Sequence, residues 1–440
     1  MLPKNILTMP EIGKNLKFYI LTSFSIATII SLSSRPEDLF NNNLVKNTLY
    51  ENILFFKSTF PILIFLSLIL ITLKEFKKNI LNNNSYIFIL FYFLILFQII
   101  GTIINSQNNL ENLYYIIPVI NIMIISLKMS LISNKKFLKF YLKANLIVFF
   151  LILIYFFFLY LKYYLITPYD FYTIWSVIKN NETVPRPTGL ARLAMIFSAY
   201  FFCSYLFRKK YLFILIFFNC IIFSMQSRAV ILALLFIFLL FILIKEKYSI
   251  IKTFKYLILI FIIPFIINTF ISFSKRAILF NDNITTIFKN DRIINSKINI
   301  DKFTTNRSQD WKNILINFDK EKIFGYGIHG DRSLINTTSS NGFLYSLVSG
   351  GYFAAIIYCI VCIYSLFLLN LAILKNKFNQ YSWFASSMII FFLIRSLVEN
   401  SFTIISFDFI IFFSSVFYLE NFFFNKSKSK IKTLKNIKIK

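Results

Sequence analysis

A 440-residue chain with 57% hydrophobic and 19% aromatic side chains, only 15% charged residues and a mean hydropathy of +0.68 carries more apolar surface than a soluble core can hide. Its solvent is therefore the bilayer, and its nine glycines and long, unalternating apolar runs exclude a membrane β-barrel. The expected fold is all-α, a polytopic transmembrane helical protein of about twelve spans, and the net charge of +28 is read as topology rather than nucleic-acid binding.

Each span takes about 20 apolar residues. Runs near 17–33, 55–73, 86–104, 113–133 and 141–161 make residues 1–162 a first group of five transmembrane helices. Residues 1–16 are polar and no small-residue cleavage site follows the first run, which reads as a signal anchor. A first outer loop, 163–189, leads to helices six to nine within 190–273, near 190–207, 211–226, 229–244 and 255–273. Gln226, Ser227 and Arg228 turn the middle pair into a hairpin, since basic clusters at Arg208-Lys209-Lys210 and Lys245-Glu246-Lys247 mark its opposite ends. Residues 274–341 form a large loop between spans nine and ten, where Trp311, Phe318, Phe324 and the Gly325-Tyr326-Gly327 turn argue for folded structure. Runs near 343–369, 382–398 and 402–419 complete helices ten to twelve within 342–419, the last two divided by Arg395, Glu399 and Asn400, and 420–440 is a basic tail.

Basic loops stay in the cytoplasm. Lysines and arginines concentrate in the segments before span one, after the even-numbered spans and in the tail, so both termini are expected inside and the loops 163–189 and 274–341 outside. This bias accounts for most of the charge excess, and the tail can lie on anionic membrane lipid. Cys203, Cys220, Cys359 and Cys362 all fall in predicted spans. The Cys359/Cys362 pair sits in apolar helix without other metal ligands, so a structural role and no metal site are expected.

Chemistry is then sought outside. Arg186-Pro187-Thr188-Gly189 closes the first loop, with Arg192 just beyond, and Ser227-Arg228-Ala229 forms the hairpin tip. The large loop reads Asn306-Arg307-Ser308-Gln309-Asp310-Trp311, then after a helical stretch Phe324-Gly325-Tyr326-Gly327, and ends in Ser340-Asn341-Gly342-Phe343-Leu344 ahead of Gly350-Gly351. The topology brings these arginines to the outer membrane–water boundary, where a planar, permanently charged fork suits a lipid-linked diphosphate. Plainer readings stand beside that one. Arg186 and Arg192 could be headgroup anchors, Arg395 and Glu399 a pair on one helix face, His329 a solvated loop residue, Trp311 loop core and the glycine turn purely conformational. Arg228, alone between two apolar helices, needs an anionic partner.

In order and spacing these motifs, spread over 184–405, resemble the O-antigen polymerase and O-antigen ligase superfamily. The resemblance implies a metal-independent membrane glycosyltransferase without cofactor, in the bacterial inner membrane, that moves glycan from undecaprenyl diphosphate to an acceptor at the periplasmic face. The ligases have a histidine just before the asparagine of the closing motif, where this chain has Ser340, and the one histidine, His329, lies earlier. The resemblance therefore favours an O-antigen polymerase, with the ligase, whose acceptor is lipid A-core, as the alternative and a polysaccharide flippase as the reading from another class. Under it Arg228, Arg307, His329 and Glu399 are catalytic candidates, with Asp310 a further candidate base, and Arg186, Arg192, Arg395, Trp311 and Asn341 are candidates for binding diphosphate or glycan. The implied partners are undecaprenyl-diphosphate-linked oligosaccharides and a chain-length regulator protein.

Overall fold

The computed structural model describes residues 61–68, 85–105, 109–131, 187–207, 211–225, 227–245, 258–266, 307–319, 322–335, 339–374, 379–400 and 407–437, with isolated positions between them. The described elements are all helical. They are α1 (Tyr86–Asn105), α2 (Asn109–Leu131), α3 (Pro187–Phe207), α4 (Leu212–Ser224), α5 (Arg228–Lys245), a π turn (Ile258–Ile262), α6 (Arg307–Asn317), α7 (Gly330–Ile335), α8 (Gly342–Leu374), α9 (Gln380–Ser396) and α10 (Phe407–Ile437). Among the described residues four helices are long and apolar enough to cross a membrane: Tyr86–Asn105, Gly189–Leu206, Arg228–Lys245 and Gly342–Leu374. Shorter apolar helices cover Tyr114–Ile125 and Leu212–Ser224. The chain is an integral membrane protein. The expected first span at 17–33, most of the loop 163–189 and the part of the large loop at 274–306 lie outside the described residues.

Two compact units emerge. One comprises residues 1–144, 310–377 and 396–440, the other 145–309 and 378–395.

In the first unit α1 packs against α8 and α10. Its inward face carries Ile87, Phe91, Leu94 and Ile95, while Ile89, Phe93, Leu96 and Ile103 point outward as a lipid-facing side. Phe88 and Phe91 meet Phe409, Phe413 and Phe417 of α10 edge to face, with centroids 4.8–5.2 Å apart in the tightest pairs. The start of α1 is closed by Glu420 on α10, whose carboxyl accepts Tyr86 N–H at 2.8 Å and the Ser85 hydroxyl at 2.5 Å.

The run read as one span at 343–369 is broken. Gly351 has φ 70 and ψ −161, so α8 consists of two arms. A Cβ on Gly342 would lie 3.0 Å from the Tyr358 hydroxyl, sixteen residues on, whereas a straight helix would separate those positions by about 24 Å. The arm 342–350 thus folds back along the arm 352–374, and the second arm alone has the length of a span. A break of this kind leaves carbonyls at the end of one arm and N–H groups at the start of the next without helical partners. The segment 322–327 takes both: Tyr326 N donates to Val348 O at 2.6 Å, Gly327 N to Ser349 O at 3.1 Å, and Ile323 O accepts Tyr352 N–H at 3.2 Å.

The second unit is held by rings and buried polar pairs. Phe202 of α3 stacks on Phe238 of α5 at 3.9 Å, and Phe241 meets Trp383 of α9 edge to face at 4.6 Å. Ser198 donates to Asn219 at 2.5 Å between α3 and α4, and Gln380 to Ser204 at 2.5 Å between α9 and α3. Asn379 caps α9 by accepting Ser382 N–H at 2.8 Å.

Candidate functional site

The polar centre of the first unit is the turn 325–332, and its position begins in α1. Gln98, Thr102 and Asn105 recur on one face of an otherwise apolar helix. Gln98 Nε2 donates to Thr403 O at 3.2 Å, Asn105 Nδ2 donates to Gly325 O, and Thr102 Oγ1, itself donating to Gln98 O at 2.7 Å, accepts Ile328 N–H at 2.8 Å. Gly327, at φ 86, lets the backbone come this close, since a Cβ there would stand 2.5 Å from Thr102 Cα. Gripped by α1 on one side and the break in α8 on the other, the turn cannot drift.

His329 follows. Among the described residues it is the sole non-glycine residue with positive φ, at 62°, a conformation that costs of order 1 kcal/mol or more for a side chain of this kind. Its N–H reaches the Tyr345 hydroxyl of α8 at 3.4 Å, and its ring lies 4.8 Å from Tyr115 of α2 at an interplanar angle of 73°. Its Nδ1 is buried and finds no hydrogen-bond partner among the described residues. Desolvation first, and then the nearby Arg332 guanidinium, push its pKa down to about 3, so the imidazole is neutral at physiological pH.

Asp331 ties this turn to the start of α8. It is buried, accepts Ser339 N–H at 2.7 Å and Arg332 N–H at 3.1 Å, and burial raises its carboxyl above the usual range against the lowering effect of those bonds and of Arg332. Ser340 is half-buried at the entry to α8. Asn341 is the N-cap: its Oδ1 accepts Leu344 N–H at 3.1 Å and its Nδ2 donates to Leu397 O at 3.0 Å. The sequence reading offered Asn341 to a glycan, and its amide is already engaged at both ends. Trp311 of α6 packs with Tyr326, Leu334 and Ile335 against Ile314, Phe318, Leu344, Leu347, Val348 and Ala355, which is the loop-core role weighed above.

The remaining candidates are placed one by one. Arg192 is half-buried within α3, and Arg228 is exposed as the first residue of α5, preceded by buried Ser227, whose carbonyl accepts Ile231 N–H at 3.0 Å. Arg307 opens α6, half-buried, with Asp310 in the same first turn. Arg395 is 6% exposed in the last turn of α9, and Glu399 is half-buried in the bend that follows. Arg186 lies outside the described residues. His329, Trp311, Asn341 and Glu399 belong to the first unit, and Arg192, Arg228, Arg307 and Arg395 to the second.

Sequence reasoning missed Thr102, Tyr115, Asp331 and Tyr345. The signal available was the polar face Gln98-Thr102-Asn105 in a span that had no need of polar groups.

Residues 211–359 match the family model described as O-Antigen ligase. They contain α4, α5, α6, α7, the turn 325–332 and the break in α8. This match supports the O-antigen ligase and polymerase superfamily resemblance carried by the motifs. No curated protein and no solved structure matches the chain.

Proposed function

We propose that this protein is an O-antigen polymerase of the bacterial inner membrane, both termini cytoplasmic, working at the periplasmic face on undecaprenyl-diphosphate-linked repeat units. The observation that carries the reading is that one matched segment, 211–359, holds Arg228, Arg307, Trp311, His329 and Asn341 together with Ser340 in the place of the ligase histidine.

In the reaction, a sugar hydroxyl of one lipid-linked repeat unit forms a bond to the anomeric carbon of the other glycan. The bond from that carbon to the lipid diphosphate breaks, its electron pair stays with the phosphate oxygen, and the hydroxyl proton passes to a base. Arginine stabilises the departing diphosphate by paired, charge-assisted hydrogen bonds. Arg228 and Arg307 head that assignment, as each is the first residue of a helix, with Arg186, Arg192 and Arg395 behind them. For the base the candidates are His329, Glu399 and Asp310. His329 is favoured because its imidazole is neutral and its Nδ1 finds no hydrogen-bond partner among the described residues.

A ligase is the second reading. The bond from Ser339 to Asp331 joins the His329 turn to the closing motif, so His329 could replace the histidine missing at position 340. A chain-length regulator would accompany the polymerase and not the ligase.

The test is the lipopolysaccharide ladder from cells lacking the gene, complemented with wild type, Arg228→Ala, Arg307→Ala or His329→Ala at matched membrane levels. Core bearing a single repeat unit, restored to a ladder by wild type and not by the arginine variants, is the expected result. Core with no repeat unit would overturn the polymerase in favour of a ligase or flippase, and full ladders from both arginine variants would remove those residues from the mechanism.

A further inference from the structure

We propose that Tyr115, in α2 and outside the matched segment, is a positioning residue for His329: its ring walls the imidazole off from water and holds Nδ1 toward the acceptor hydroxyl. The inference rests on the reading of His329 as the group that takes the hydroxyl proton.

Three observations meet here. The Tyr115 and His329 rings are 4.8 Å apart at 73°, the edge-to-face arrangement that fixes a ring's plane as well as its distance. The His329 backbone is held in the left-handed region by bonds on both flanks, from Ile328 N–H to Thr102 Oγ1 and His329 N–H to the Tyr345 hydroxyl on one side, and from Arg332 N–H to His329 O at 3.0 Å on the other. With the backbone fixed, the direction of the imidazole is left to what it packs against. Finally, Nδ1 is buried and finds no hydrogen-bond partner among the described residues, although buried ring nitrogens ordinarily do. A neutral imidazole nitrogen is matched by an uncharged donor, which a sugar hydroxyl supplies. Among the described residues the charged and titratable groups around the ring are Arg332 and Asp331 on the same segment, Tyr345 from α8 and Tyr115 from α2. Of these Tyr115 is the one whose ring faces the imidazole, and its removal opens the site without deleting a charge.

Because the chain contains one histidine, its titration can be followed without assignment. The experiment uses the full-length protein in nanodiscs, labelled with nitrogen-15 histidine, and records imidazole shifts against pH alongside the rate of modification by diethyl pyrocarbonate. Wild type and Tyr115→Phe should stay neutral throughout the range from pH 7 to 5 and react slowly, since phenylalanine keeps the ring. Tyr115→Ala should titrate between pH 7 and 5, toward the ordinary histidine value of about 6.5, and should react faster at pH 7 because the opened wall lets reagent reach the ring. Tyr115→Leu, which keeps apolar bulk and so guards against misfolding, should fall between. The ladder should shorten for Tyr115→Ala and recover with Tyr115→Phe. An imidazole unchanged in both Tyr115→Ala and Tyr115→Leu overturns the positioning role. A shifted imidazole combined with a full ladder from His329→Ala overturns the reading of His329 as the base, and the inference with it.

Discussion

Two regions of this protein, one in each unit, are held together by different means. In the second, α3, α4, α5 and α9 close on apolar side chains, with Phe202 stacked on Phe238 and Phe241 against Trp383. In the first, the neighbourhood of Gly351 is held by main-chain bonds: a loop segment supplies the partners that a broken helix lacks, and α1 grips the same segment through Thr102 and Asn105. Side-chain packing tolerates small adjustments. A backbone exchange requires every participant at its place, because each unmet group in a low-dielectric surround costs far more than a lost methyl contact. The matched segment contains parts of both, and among the described residues the positive-φ conformations, at Gly325, Gly327, His329 and Gly351, all belong to the backbone-held region.

The contrast can be broken by substitution. Gly351→Val should have the largest effect, since a Cβ there would sit 1.7 Å from Ile323 O at a φ that valine avoids. A loss of at least about 4 kcal/mol is expected, enough to remove the monodisperse species from detergent extracts on size-exclusion chromatography. Phe238→Ala, the strongest packing change in the second unit, should cost about 3 kcal/mol, seen as a lowered Tm of the solubilised protein. Thr102→Val keeps the shape but strips the acceptor from Ile328 N–H, for about 2 kcal/mol, and should speed hydrogen exchange at that amide while leaving α3 to α5 unchanged. If exchange accelerates equally in both units, the distinction between them fails.

Two smaller effects sharpen the picture. Burial disfavours the charged form of His329, so the unfolded chain binds a proton that the folded chain does not as pH falls from about 6.5 toward 3, and stability falls with it. Wild type should lose about 1–2 kcal/mol more than His329→Asn between pH 7 and 5 in thermal melts, asparagine being chosen because it tolerates positive φ. Asn341→Ala should cost about 1 kcal/mol through the lost cap of α8. If its ladder shortens by much more than that loss explains, Asn341 also touches the glycan.

What could be read from the sequence follows the same division. The helices α1, α3, α4, α5 and α9 begin and end close to the expected spans, because in lipid an apolar run has little choice but to satisfy its own backbone. The basic flanks and Gln226-Ser227-Arg228 located the turn between α4 and α5 for the same local reason. The break at Gly351 was visible only as a glycine pair, since the φ of a glycine is not encoded in its neighbours and the partners that stabilise it come from 322–327. The anchoring of Gly325 by Asn105 spans 220 positions, a separation at which no pattern in the chain announces a contact. Trp311 was legible as loop core from its aromatic neighbours, while the burial of His329 was not, because the rings around it come from α2 and α8.

The closure of α1 by Glu420 bears on how the protein is made. The N–H at Tyr86 and the hydroxyl at Ser85 leave the ribosome 334 and 335 positions ahead of the side chain that receives them. Until α10 has been translated, that end of α1 lacks the Glu420 carboxyl that receives its donors. Closure of this contact is therefore late in synthesis, and a chain stalled before residue 420 leaves that end of α1 without it.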